Sequence, residues 1–226
     1  MLTVINNFLS ASELAHFRQT LDGANWQDGA RSAGQLAAPL KTNLQLDDSS
    51  AEARDLMKIL SAKLSQHPLF ISAALPDKIY PPKFNCYQNH GHYGQHIDSA
   101  IMRCADGSSL RSDLSATLFL SPAENYEGGE LCVEIGGCLQ EIKLDAGDMI
   151  IYPANCLHEV KPVPKGQRLA AFFWVQSLIR SHQQRQQLFE LDQSIQALTL
   201  KLGSDDEEVR RLSALYHNLL REWAYA

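Results

Sequence analysis

Two histidines and one aspartate, His96, Asp98 and His158, stand in the chain with Arg168 ten residues beyond the last of them. On an extended strand residues i and i+2 share a face, so the His96 imidazole and the Asp98 carboxylate can grip one cation, and His158 completes the set. Two imidazoles and one carboxylate leave coordination positions open. That suits a non-haem Fe(II) which must also hold a bidentate 2-oxo acid and O2. Zinc, which prefers four ligands, could occupy the same set. Arg168 bears on this choice. A 2-oxo diacid chelates a metal through its keto and C1 carboxylate oxygens, so its far carboxylate needs a fixed fork of donors, which a guanidinium supplies.

A His-x-Asp pair alone is a weak signal, and its context carries the weight. Tyr87, Gly91 and Tyr93 precede it, while Pro162, Val163, Gly166 and Trp174 surround His158 and Arg168. Between them run Gly128-Gly129-Glu130-Leu131 and Gly147-Asp148-Met149-Ile150-Ile151-Tyr152-Pro153. Over residues 79–176 this succession resembles the prolyl-4-hydroxylase branch of the Fe(II)/2-oxoglutarate dioxygenases, most closely the bacterial PKHD-type hydroxylases. The resemblance implies a mainly β fold with flanking helices, a double-stranded β-helix or jelly roll. It also implies hydroxylation of an unactivated C–H bond, with succinate and CO2 as co-products. By the motif His96, Asp98 and His158 are the catalytic Fe(2+) ligands, Arg168 binds the C5 carboxylate of 2-oxoglutarate, and L-ascorbate is an accessory. Many relatives carry Tyr-Leu where this chain has Phe119-Leu120. A second hydroxyl for the C5 carboxylate is therefore expected from Tyr87 or Thr117.

Other side chains admit two readings each. His90 and His92 could make an alternative site with His96, or be polar residues beside the entrance. Cys156 could be a soft ligand, or a small buried thiol. Tyr87 and Tyr93 are expected at the pocket and Trp174 in packing, while Asp113 and Ser115 either touch substrate or stabilise a sheet edge. No convincing Ser/His/Asp or paired-carboxylate set is present, which fits a reaction that needs no general base. Two rivals remain: a cupin-like metal or ligand sensor on the same fold without turnover, and a zinc hydrolase working without O2.

The elements that must position these residues can be read from periodicity. Val4–Leu9 reads as a strand, and Ser10-Ala11-Ser12-Glu13 as a capping box opening a helix with Leu14, Phe17 and Leu21 on one face. Residues 27–42, with Gly29, Gly34 and Pro39, read as a loop near the site mouth. A helix over roughly 51–66 carries Leu56, Met57, Leu60 and Leu64. Segments 84–88, 113–120, 130–135, 139–144, 148–152 and 168–176 are rich in branched and aromatic residues, as strands of a sandwich or barrel are. Glu127-Gly128-Gly129 and Ile135-Gly136-Gly137 sit where reversals need positive φ.

Residues 1–177 are expected to form the jelly-roll domain with its N-terminal helices, and 178–226 a C-terminal helical extension. There Leu188, Leu191, Ile195, Leu198 and Leu202 recur at helical spacing, Gly203 stops the helix, and Ser204 with Glu207 caps a second one carrying Val209, Leu212, Leu215, Leu219 and Trp223. This hairpin must bury its stripe on the barrel or against its copy in a homodimer.

At 226 residues the chain can bury one main core, and a net charge of −6 gives no attraction to phosphate backbones, so no nucleic-acid partner is expected. Met1–Ser10 lack a basic leader and no apolar run approaches a membrane span, so no membrane partner and a cytoplasmic location are expected. Five cysteines without a C-x-x-C pattern fit a reducing compartment. The resemblance leaves the substrate open between a peptidyl Pro or Lys and a small molecule, with some relatives associated with iron uptake. Loops 27–42 and 99–112 are expected to set that choice.

Overall fold

The computed structural model describes residues 1–32, 38–104 and 106–225. In chain order, β1 (Thr3–Ile5) and α1 (Ala11–Asp22) lead into β2 (Trp26–Asp28), two 3₁₀ turns at Gly29–Ser32 and Ala38–Leu40, β3 (Lys41–Thr42) and β4 (Leu44–Leu46). α2 (Ala51–Leu64), α3 (Pro68–Ala74) and β5 (Pro76–Ile79) follow. Then come β6 (Lys83–Tyr87), β7 (Gly91–His96), β8 (Ile101–Arg103), β9 (Ser109–Arg111), β10 (Leu114–Phe119) and β11 (Tyr126–Glu127). The run closes with β12 (Leu131–Ile135), β13 (Cys138–Ile142), β14 (Met149–Pro153), β15 (His158–Val163), β16 (Lys165–Gly166) and β17 (Arg168–Ser177), before α4 (His182–Leu202) and α5 (Glu207–Trp223).

Among the described residues one sheet runs β1-β14-β10-β17-β6-β4-β2, with β5 also on β17, and a second runs β13-β12-β15-β7-β3. All the pairings are antiparallel and the two sheets face each other, the jelly roll expected. The large sheet is covered on both sides, which is why its strands read as nearly unbroken apolar runs. Leu114, Ala116 and Leu118 of β10 and Leu169, Ala171, Phe173 and Val175 of β17 join one core with Phe17, Leu21, Leu56, Leu60 and Phe70 of the three N-terminal helices. The alternate residues, Ser115, Thr117, Arg168, Phe172 and Trp174, line a cavity between the sheets. A second core of Tyr87, Phe119, Tyr126, Leu131, Val133 and Val163 closes its floor.

Local chemistry sets the helix ends. Ser10 Oγ accepts the Glu13 amide at 3.3 Å and the Glu13 carboxylate accepts the Ser10 amide at 2.7 Å, the reciprocal box expected. That carboxylate also takes Lys63 of α2 at 2.7 Å, tying α1 to α2. The first strand is shorter than expected, three residues instead of six. Asn7 turns at φ 51°, its amide donating to Asp148 Oδ1 at 2.7 Å, and this sends Phe8 and Leu9 into the core. Where a loop was expected over 27–42, the described residues there hold the end of β2, the two 3₁₀ turns and β3, and Gly34 lies outside the described residues. α3 was not evident in the sequence, being under two turns long and opened by Pro68 at its first position.

The C-terminal pair forms with one correction: the second helix is capped by Asp206, whose Oδ1 accepts the Glu208 and Val209 amides at 3.0 and 3.1 Å, and not by Ser204. Leu188 packs with Leu75 and Ile179 beside Tyr216, Leu219 and Trp223, so the base of the hairpin rests on the barrel. Arg185 is buried there, donating to the Ile179 carbonyl at 2.7 Å. Leu200 and Leu202 at the other end, and Leu215 midway along α5, are exposed. No helix among the described residues is long and apolar enough to cross a membrane.

Leu60 is fully enclosed between α2 and the large sheet. Leu60→Ala is expected to lower unfolding free energy by about 2–5 kcal/mol, read from urea denaturation. Burial pushes the Glu13 carboxyl upward, but the hydrogen bonds from Lys63 and Ser10 overcome this and hold it at about 2 against an ordinary 4.5. A depressed folded value means the stabilisation is complete above the unfolded value and is lost as pH falls from 4.5 towards 2. Glu13→Gln is expected to flatten the stability curve in that window and leave the slope at higher pH unchanged.

Candidate metal centre

His96 closes β7 and His158 opens β15, and the antiparallel ladder sets them directly opposite one another. The next pair is Val160 with Tyr93, so β7 spends three residues where β15 spends two. This is a bulge, and it brings Tyr93 onto the same face as His96. The two rings stack with centroids 3.6 Å apart and 18° between planes. The same shift takes His92 off that face. Its Nδ1 lies 3.1 Å from the His90 carbonyl, and neither His90 nor His92 lines the cavity, so the alternative histidine site does not form.

Asp98 lies two residues past the end of β7, so loop geometry rather than the strand pleat places it, a correction to the sequence argument. Ser115 Oγ on β10 donates to Asp98 Oδ2 at 2.6 Å and fixes the carboxylate against the facing sheet. Each histidine is oriented through Nδ1, His96 to the Gly94 carbonyl at 2.8 Å and His158 to the Cys156 carbonyl at 3.0 Å. With Nδ1 held this way, Nε2 is left to present its lone pair. The Nε2 atoms of His96 and His158 stand 4.0 and 3.7 Å from the Asp98 oxygens. One ligand atom from each of the three lies within 4.8 Å of the others, close to the spacing of donors at roughly 2 Å from a shared cation. Burial, reinforced by the neighbouring His158, pushes His96 down to about 4, so at neutral pH the ring is in the neutral form a metal requires.

Cys156 contributes its carbonyl and not its sulfur. Asp113 is held bidentately by Arg111 at 2.6 and 2.7 Å and accepts the Ser177 amide, which makes it a support of the sheet edge. Ser115, which the sequence could not separate from Asp113, belongs to the site.

Arg168 is 1 % exposed and begins β17 opposite Tyr87. Its guanidinium carbon sits 5.3 Å from the Tyr87 ring and 5.0 Å from that of Phe119. Nε and Nη2 make no hydrogen bond. A buried cation with idle donors costs several kcal/mol unless an anion meets it, so the end of the cavity is shaped for a carboxylate. This tests the metal and co-substrate against the chain itself, and both fit: three converging donors for the ion, and an unmet guanidinium for a diacid's far end. Tyr87 is the floor of that subsite. Burial raises its phenol to about 12, and the hydroxyl accepts from Asn85 Nδ2 at 3.3 Å. Thr117 also lines the cavity, as does Tyr152, whose ring meets His158 edge-on at 5.3 Å. Trp174, expected only in packing, both packs edge-to-face on Phe172 at 5.5 Å and lines the wall.

Tyr126 was missed by the sequence reading. Its hydroxyl is buried with no partner. A Cβ at Gly129, where φ is 70°, would fall 3.0 Å from both Arg168 Cδ and Tyr126 Cε2, so the glycine is what lets the two lie side by side. Lys41 and Lys83, also missed, line the cavity too. A signal for Lys83 existed in the alternation Lys83, Asn85, Tyr87 along one face of β6.

Residues 82–176 match the 2OG-Fe(II) oxygenase superfamily and residues 182–225 the PKHD-type hydroxylase C-terminal domain. A PKHD-type hydroxylase of Pseudoalteromonas atlantica (strain T6c / ATCC BAA-1087) is 56% identical over 225 residues, 99% of each chain. One from Teredinibacter turnerae (strain ATCC 39867 / T7901) is 51% identical over 224 residues, again 99% of each. Among solved structures, a Pseudomonas putida prolyl-4-hydroxylase aligns with a TM-score of 0.54 at 20% identity, over 78% of this chain and 92% of that one. HygX from Streptomyces hygroscopicus, crystallised with nickel and 2-oxoglutarate, aligns at 0.55 and 15% identity, over 79% and 84%. Both likenesses concern the fold.

If Ser115 holds Asp98 in place, Ser115→Ala is expected to weaken Co(II) affinity by about 10- to 100-fold, as loss of a partner to a ligand commonly does, measured by competition against a chelator. Ser115→Thr, which keeps the hydroxyl, is expected to restore most of it.

Proposed function

Because this chain belongs to the PKHD-type hydroxylases of the 2OG-Fe(II) oxygenase superfamily, and is thereby a 2-oxoglutarate-dependent dioxygenase, we propose that His96, Asp98 and His158 hold its Fe(II) and that Arg168 receives the C5 carboxylate of 2-oxoglutarate. The observation that carries the assignment is the buried guanidinium with two idle donors in the same cavity as the triad. Bound iron supplies the O2 activation that converts R–H, O2 and 2-oxoglutarate into R–OH, succinate and CO2. The protein's part is placement. Arg168 neutralises the far carboxylate, the Tyr126 hydroxyl offers a further donor beside it, and Thr117 lines the wall between that subsite and the triad. Tyr87 and Phe119 enclose the guanidinium in aromatic surface, where its charge is least screened by water. Tyr93 holds the plane of His96, and Ser115 holds Asp98.

The same reading extends to matters the kinship supports less closely. The hydroxylated group is a peptidyl prolyl or lysyl residue or a small molecule, in a role connected with iron homeostasis. L-ascorbate serves as the accessory reductant that keeps the metal ferrous. The location is cytoplasmic, where the five cysteines stay as thiols, and the negative net charge speaks against a nucleic-acid partner. The exposed Leu200, Leu202 and Leu215 are the surface through which two copies would meet.

Under anaerobic conditions 2-oxoglutarate is expected to bind the Fe(II) protein and produce a weak visible band, and admission of O2 to release succinate and CO2. Arg168→Lys is expected to raise the KM for 2-oxoglutarate by about 10- to 100-fold with a smaller effect on kcat, since one ammonium cannot reproduce the fork. Metal binding indifferent to the oxo acid, or turnover without O2, would point instead to a sensor or a hydrolase.

A further inference from the structure

Asn85 lines the cavity, and the functional reading gives it no task. It is the middle residue of the face that β6 turns inward, between Lys83 and Tyr87, and is only 7% exposed. One end of its amide is used: Nδ2 donates to the Tyr87 hydroxyl at 3.3 Å. The other end, Oδ1, is buried with no hydrogen-bond partner. A buried polar group left unmet is costly, and in the wall of a cavity it marks a point of contact for whatever fills the space.

The register fixes where along the cavity this amide lies. β17 runs from Arg168, opposite Tyr87, past Ala170, opposite Asn85, to Phe172, opposite Lys83. Two residues further on, Trp174 pairs with Ser115, whose hydroxyl holds Asp98. Asn85 therefore stands one pleat repeat, roughly 6–7 Å, from the Arg168 subsite on the side of the metal ligands. An oxo diacid anchored on Arg168 and reaching for the metal passes alongside it.

We propose that the Asn85 amide donates a hydrogen bond to the C1 carboxylate of 2-oxoglutarate and so positions the end of the oxo acid that meets the metal. The proposal rests on the dioxygenase reading of the same cavity. The 2-oxoglutarate dianion carries acceptors only, two carboxylates and a keto oxygen, so the NH2 end of Asn85 can satisfy it and the oxygen cannot. An amide turned end for end fills the same volume, so the exchange needs no added room. Once turned, Oδ1 accepts the Tyr87 hydroxyl across the same contact, because a phenol is a donor as well as an acceptor, and Nδ2 is presented to the cavity. Both ends of the amide are then met, and the phenol proton with them. In the opposite orientation Oδ1 would face a carboxylate, acceptor against acceptor. A bidentate oxo acid gives its keto oxygen and one C1 oxygen to the metal, which leaves the second C1 oxygen free for Nδ2.

The test uses the full chain loaded with Zn(II), which binds the oxo acid without turnover. Calorimetry compares 2-oxoglutarate with 4-oxopentanoate, which keeps the keto group and the far carboxylate and has a methyl group in place of the C1 carboxylate. Asn85→Leu, close to the amide in shape and without its donor, is expected to weaken 2-oxoglutarate by about tenfold and to leave 4-oxopentanoate within about twofold of the parent. Asn85→Asp, which puts only acceptors at the same position, is expected to weaken 2-oxoglutarate more than Leu does. A second measurement needs no variant. In the parent labelled with 15N-asparagine, the Asn85 side-chain amide protons, identified by their contact with the Tyr87 ring, are expected to move downfield on addition of 2-oxoglutarate and not of 4-oxopentanoate. Equal weakening of the two acids by Leu would reduce Asn85 to packing and overturn the proposal. So would a Leu variant that binds 2-oxoglutarate like the parent, an Asp variant that keeps the affinity Leu loses, or amide protons that do not respond. Failure of the parent to bind 2-oxoglutarate would instead remove the dioxygenase reading, and this proposal with it.

Discussion

Directly opposed residues in an antiparallel ladder stand about 4.5–5.5 Å apart at Cα, and nothing else in the chain brings His96 and His158 to that distance. With 61 residues between them in sequence, their approach depends on the pairing of β7 with β15. The bulge in β7 then decides which side chains face inward. Without the extra residue the pleat would put Tyr93 and His96 on opposite faces and give His96 the company of His92 instead. One inserted residue thus separates a neutral imidazole stacked on tyrosine from a cluster of histidines open to solvent.

The second sheet cannot hold this geometry alone, because the third ligand lies in a loop. Asp98 is located by Ser115, and Ser115 is located by β10, whose other face is sealed by Leu114, Ala116 and Leu118 under the N-terminal helices. The helices therefore serve the metal centre through two layers of packing. β10 and β17 are packed on both faces, and Ser115, Thr117, Arg168, Phe172 and Trp174 all stand on them.

What the sequence disclosed, and what it withheld, follows from the range of the interactions concerned. The Ser10–Glu13 box, the Gly136-Gly137 reversal with both φ positive, and the Gly203 stop depend on neighbours within a few residues, and all were legible. The triad and Arg168 were legible through spacing and context. β7 and β15 were not recognised as strands by composition, since Gly91-His92-Tyr93-Gly94-Gln95-His96 has none of the branched apolar residues that mark one. The role of Ser115 and the idle hydroxyl of Tyr126 depend on contacts across the cavity, which periodicity does not encode. Asp206 prevailed over Ser204 as a cap because the turn after Gly203 delays the helix by two residues and a carboxylate can accept two amides at once.

Along the cavity, positive charge is arranged in steps. A buried guanidinium lies beside Tyr87 and Phe119, and two imidazoles with the Asp98 carboxylate form a site for a cation, while Lys41 and Lys83, the latter ion-paired with Asp48, also stand on the wall. The two idle donors of Arg168 are relieved when an anion enters, so the fold stores part of the binding free energy as unsatisfied burial. The deepest donor has the least access to water and the largest need of a partner, which favours filling from the inside outwards. An oxo acid seated on Arg168 would then cover the deep end before any larger molecule came to rest on Tyr93 and Trp174, and the later arrival would close the remaining path for water. Order of binding in this picture is a consequence of the depth at which each cation lies and needs no moving part to impose it.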